Sequence, residues 1–189
     1  EGLFTKDNLV AFTTSLGPLA QGAREYTLEV LSRLTELFTT LKGEGLFTEG
    51  NLIPFTASLG PLAQGDGEYT PEALSRLTEL FTTLKKEGLL TKDNLVAFTA
   101  SLEPLAQGAG AYAPEALVEL SGLFTTLKKE GLLTEDNLVP FTASLGPLAQ
   151  GAREYTRKVL SRLTELFTTL KKEGLFTKDN LVAFTTSLG

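Results

Sequence analysis

EGLFTKDNLVAFTTSLGPLAQGAREYTLEVLSRLTELFTTLKG, residues 1–43, decides the fold, because the remainder of the chain repeats it. The stretch returns at Glu44, Glu87 and Glu130 without insertion or deletion, and a fifth, partial copy covers residues 173–189. Of the 43 positions in the second copy, 33 match the first, which implies recent duplication or a consensus or designed sequence. A fixed period in the range of roughly 20 to 50 residues marks an array whose units bury their apolar faces on one another. The units are residues 1–43, 44–86, 87–129, 130–172 and the partial 173–189, read as one domain over 1–189.

Within the unit, the clearest helix comes last. Val30, Leu31, Leu34, Leu37, Phe38 and Leu41 fall on one stripe of a 3.6-residue helix, with Ser32, Arg33, Thr35 and Glu36 on the other side. Thr27 is placed to cap its start, and units two and three put Pro71 and Pro114 at the next position, where the missing N–H is harmless. Gly45, Gly88, Gly131 and Gly174 stand where a left-handed residue ends a helix. In a Schellman ending Leu84 would pair with Leu89, and likewise Leu41 with Leu46, Leu127 with Leu132 and Leu170 with Leu175.

Leu9, Phe12 and Leu16 give the unit an earlier, shorter helix. Thr5 or Asn8 could cap it. Pro54 and Pro140, in the place of Ala11, favour the Asn, because a proline deep in a helix costs about 3 kcal/mol. Gly17-Pro18 reads as a stop, followed by a short third helix over about residues 18–24. The expected fold is thus all-α: a right-handed α-solenoid of 43-residue repeats, with two main helices and a short third in each. In architecture and repeat length this resembles the armadillo and HEAT class.

Composition removes several functions. The chain carries a net charge of −6, and no Cys, His or Met. An acidic protein is a poor general binder of nucleic acid or anionic membrane. Without cysteine there is no disulfide framework or thiolate metal site, and without histidine the usual general base is missing. No apolar run is long enough to span a membrane. No P-loop, GxSxG or HExxH is present, so the chain is not expected to be an enzyme or to hold a metal or cofactor. It opens inside the repeat pattern, which reads as a processed piece or a window cut from a longer array.

A binding site would lie where otherwise similar units differ. The turn before each long helix varies, and it supplies Arg24, Glu25, Asp66, Glu68, Arg153 and Glu154 as candidate partner-binding residues. Arg157 and Lys158 extend that set in unit four, the one unit with net positive charge. The row Asn8, Asn51, Asn94, Asn137 and Asn180 could bind a peptide backbone, but helix capping explains it more simply. Phe12, Tyr26, Phe38 and their equivalents could stack bases, but two of the three lie on core stripes. Unit three departs most in its long helix, where Val118, Glu119, Ser121 and Gly122 replace Ser, Arg, Thr and Glu.

LTKDNLVA, residues 90–97, followed by Ser101 and a Leu-rich second helix, resembles the repeat of TAL-effector-type DNA-binding proteins. That family's units are shorter, and its base-reading pair follows the first helix. The matching pair here is Leu16-Gly17, which changes only once, to Leu102-Glu103. A reader that stays constant carries no sequence information. Three functions remain: a scaffold that docks a protein or peptide, a structural repeat that associates end to end, and TAL-like nucleic-acid binding.

Overall fold

A computed structural model describes residues 6–18, 27–62, 70–109, 113–150 and 155–188. The described residues are all helical, joined by turns. Their helices are α1 (Lys6–Ser15), α2 (Thr27–Gly43), α3 (Glu49–Leu62), α4 (Thr70–Lys86), α5 (Leu95–Ser101), α6 (Glu103–Ala109), α7 (Ala113–Lys129), α8 (Glu135–Gln150), α9 (Thr156–Lys172) and α10 (Leu181–Thr186). The long helices α2, α4, α7 and α9 pack in sequence, each on its equivalent 43 residues away. The earlier helices of the units form a second row, with α1 on α3, α3 on α5 and α6, these on α8, and α8 on α10.

Helix C-termini follow the glycine pattern. Gly45, Gly88, Gly131 and Gly174 have φ of 69°, 67°, 69° and 69°, a region where a Cβ would be strained. In unit two Leu89 N–H donates to Leu84 O at 2.9 Å and Gly88 N–H to Lys85 O at 3.1 Å, the two bonds of a Schellman ending. The same pair of bonds closes α2, α7 and α9. Leu41 and Leu46, Leu84 and Leu89, and Leu127 and Leu132 are buried as expected.

The start of the long helix departs from expectation in α9. Tyr155, not Thr156, occupies the cap position, and Thr156 Oγ1 is buried without a partner. In the shorter row, α3 and α8 begin at Glu49 and Glu135, two residues before the Asn expected to cap them. Thr48 is the cap instead. Its Oγ1 accepts the Asn51 N–H at 3.2 Å while Asn51 Oδ1 accepts the Thr48 N–H at 2.8 Å, a capping box with Asn in the place of Glu. Asn94 and Asn180 do precede α5 and α10, yet neither makes a side-chain cap bond.

Gly-Pro does not stop the helix in units two and four. α3 runs through Gly60-Pro61, and α8 runs through Gly146-Pro147 as far as Gln150. In unit one α1 ends at Ser15, before Gly17-Pro18, and residues 19–24 of the expected short third helix lie outside the described residues; in unit three, after Leu102, the short helix is separate as α6. The reason lies in the neighbouring unit. A Cβ on Gly146 would sit 2.7 Å from Pro104 Cβ, and one on Gly60 would sit 3.3 Å from Pro18 Cβ. These glycines let the second row close up on the preceding proline. Unit three has Glu103 at that position, and there the helix breaks at Leu102. Gly146→Ala is therefore expected to destabilise the chain by about 1–3 kcal/mol in urea denaturation. Gly17→Ala should be harmless, since nothing lies within 4 Å of its Cβ position.

The core between the rows contains a continuous line of phenylalanines. Phe12, Phe38, Phe55, Phe81, Phe98, Phe124, Phe141, Phe167 and Phe184 alternate between short-row and long-row helices. Successive ring centroids are 5.4 to 6.1 Å apart, in edge-to-face geometry. Leucines from both rows surround the line: Leu37, Leu80 and Leu123 are fully buried, as are Leu95 and Leu138. Phe55, Phe81, Phe98, Phe124, Phe141 and Phe167 are fully buried, so no base could stack on them, whereas Phe12, Phe38 and Phe184 toward the two ends are half-buried.

Candidate functional site

The long row carries a regular line of ion pairs. Arg33 meets Glu36 at 3.2 Å, Arg76 meets Glu79 at 3.0 Å and Arg162 meets Glu165 at 2.6 Å, each one turn apart on its own helix. Unit three interrupts the line, because Glu119 and Gly122 stand where the others have Arg and Glu. Without the Glu side chain, an open groove of about 420 Å³ lies between α4 and α7. Arg76 and Glu79 line it on the α4 side, Val118, Ser121 and Gly122 on the α7 side, and Leu80 and Leu117 also border it. Val118 is 47% exposed, and a Cβ built on Gly122 meets nothing within 4 Å.

Arg76 is the fixed charge at this groove. Its hydrogen bond to Glu79, the charge of Glu79 and the same contributions from Glu72 at 3.5 Å hold its pKa above the ordinary arginine value. The guanidinium stays charged at any working pH. Its Nε is buried with no hydrogen-bond partner. The groove thus combines an apolar surface with a paired charge on its rim.

The candidate residues of the turns fare differently. Arg24, Glu25, Asp66, Glu68, Arg153 and Glu154 lie outside the described residues. Arg157 and Lys158 are exposed in the first turn of α9, where the other described long helices carry Glu. Lys158 Nζ lies 5.3 Å from the centre of the Tyr155 ring, a cation–π contact at the surface. The structure does not bring this pair to the groove. Arg162 belongs to the ion-pair line instead. Gly122 was legible in the sequence only as one of the departures of unit three from the repeat, and the space that it leaves depends on the facing helix.

Asn51, Asn94, Asn137 and Asn180 are committed to the fold. Asn51 Nδ2 donates to Leu46 O at 2.9 Å and to Lys92 O at 3.0 Å, the second bond crossing to the next unit. Asn94 Nδ2 and Asn137 Nδ2 donate to Leu89 O and Leu132 O, both at 2.9 Å. Their Oδ1 atoms accept the N–H of Thr91 and Thr134. Asn180 repeats the pattern at 3.4 Å to Leu175 O. The pair that the TAL resemblance would place against bases is turned inward: Leu59, Leu102 and Leu145 are core, and Gly60 and Gly146 are buried against the preceding prolines.

Among the described residues no group of three or more Asp or Glu is placed to hold a metal ion, and no helix is long and apolar enough to cross a membrane. The chain matches no family model, no curated protein and no solved structure.

Proposed function

We propose that the chain is a non-catalytic helical-repeat scaffold, a right-handed α-solenoid that docks a protein or peptide along its long-helix row. The observation that carries this reading is the groove at Gly122. It opens at the one point of the long row where the repeat abandons its own Arg–Glu pair. A scaffold with no ligand has no use for that departure, because Gly in a helix interior is unfavourable by up to about 1 kcal/mol relative to Ala. The fitting occupant is a peptide that sets one aliphatic or aromatic side chain over Val118 and Gly122, with polar groups beside the Arg76–Glu79 rim.

Gly122→Glu separates stability from binding. The variant restores the residue of the other units and fills the groove. It should raise the unfolding free energy by about 0.5–1 kcal/mol in urea denaturation. A displayed random-peptide library panned on the 189-residue chain should yield binders that are lost on Gly122→Glu and weakened on Val118→Ser. A library that yields no binder sensitive to either substitution would overturn the reading.

A further inference from the structure

The groove between α4 and α7 differs from its neighbours in more than its space. Thr78 and Thr82 of α4 and Thr164 and Thr168 of α9 turn their hydroxyls back to the carbonyl four residues earlier, at 2.8 to 3.1 Å. Ser121 and Thr125, their equivalents in α7, line the groove and make no such bond. Among the described residues neither hydroxyl has a hydrogen-bond partner. The two stand one turn apart on the same face, about 6 Å along the helix axis. Peptide groups on one edge of an extended chain recur every second residue, at about 6.6 Å. A helical ligand would leave both hydroxyls unused, because its own backbone groups are already paired.

Charge divides the groove along its length. Glu72 and Glu115 are exposed in the first turns of α4 and α7, and Lys86 and Lys129 are exposed in their last turns. This order suits the helix dipoles, and α2 shares it with Glu29 and Lys42. It fails after α7, because Lys158 stands in α9 where the other long helices have Glu. Between α2 and α4 it holds, but there Glu79 stands in the place of Gly122. Among the described long helices, an open centre, free hydroxyls and opposite charge at the two ends thus coincide only between α4 and α7.

Given the groove as the docking site, on which this rests, we propose that its occupant is an extended peptide with a charge of each sign: an aliphatic or aromatic residue at the centre, a Lys or Arg toward one end and an Asp or Glu toward the other. The central side chain lies over Val118 and Gly122, and the peptide backbone pairs with the Ser121 and Thr125 hydroxyls. Gly122 is seven residues from Glu115 and seven from Lys129, about 10 Å along the helix in either direction. An extended chain covers that distance in about three residues. The basic residue thus falls three to four positions from the central one, where it meets Glu72 and Glu115. The acidic residue falls as far on the other side, where it meets Lys86 and Lys129.

Panning a displayed nonapeptide library on the 189-residue chain tests it. Most binders that are lost on Gly122→Glu should carry a basic residue on one side of the central apolar one and an acidic residue on the other, in either order. Binders lost on Gly122→Glu with no such pairing of charges would overturn the proposal and leave the groove as a docking site. No binder sensitive to Gly122→Glu would overturn both. One selected peptide, synthesised with a fluorescent label, is then titrated by fluorescence polarisation. Glu115→Lys should weaken it by about fivefold, and replacing the peptide's basic residue by Glu should restore the affinity for that variant. An unchanged affinity, or a loss that the exchanged peptide does not restore, would overturn the charge assignment. Ser121→Ala combined with Thr125→Val removes both hydroxyls and should weaken binding by about tenfold, with the circular dichroism spectrum unchanged. Binding indifferent to that pair of substitutions would overturn the extended backbone.

Discussion

Phe98→Ala is expected to lower the unfolding free energy of the chain by about 3–5 kcal/mol, the range for truncating a buried aromatic ring. Phe98 is fully buried, and its ring lies 5.9 Å from Phe81 and 6.0 Å from Phe124. The substitution thus removes two ring contacts and leaves a cavity between units two and three. Adjacent units hold each other up, so the loss should also reduce cooperativity, with the two halves of the array unfolding at separate urea concentrations. Urea denaturation followed by circular dichroism reads both effects. Phe12→Ala, at a half-buried ring near one end, should cost clearly less. A similar loss at both positions would show that the line of rings is not what couples the units.

The second large effect is expected at Leu77→Ala, at about 2–5 kcal/mol. Leu77 is 1% exposed in the middle of α4, on the stripe that faces the core. Arg76, the adjacent residue, is half-buried at the rim of the groove, and Arg76→Ala removes only pairs whose carboxylates are more than half exposed. Exposed pairs of this kind are worth about 0–1 kcal/mol. Truncation also frees the fold of a buried Nε that has no partner. The expected ratio between the two losses is therefore severalfold. Equal losses in the same urea experiment would contradict the assignment of the helix faces.

Much of the fold was legible because its signals are local. The Gly that ends each long helix, with a Leu on either side at fixed spacing, dictated the Schellman bonds that close α2, α4, α7 and α9. The stripe of Leu77, Leu80, Phe81 and Leu84 named its own buried face. Where the reading failed, two local signals competed or a distant neighbour decided. Thr48 and Asn51 are both capping residues three apart, and in the reciprocal box either could be taken for the cap. Gly60-Pro61 looks like a stop until Pro18 of the preceding unit is seen beside Gly60, 42 residues away in sequence. The groove escaped for the same reason, since its space belongs jointly to Gly122 on one helix and to Arg76 and Leu80 on another.

The line of phenylalanines bears on how fast such a chain can fold. Phe81 and Phe98 are 17 positions apart, Phe98 and Phe124 are 26, and these two separations alternate from Phe38 onward. No ring contact of the line requires a longer loop to close, whatever the number of units. Loop-closure entropy is thus a fixed charge per contact, while relative contact order falls as units are added. Any adjacent pair of units can serve as the nucleus, and the chance of starting rises with each unit. Lengthening this array should leave its search for the native state no slower than that of its smallest stable piece.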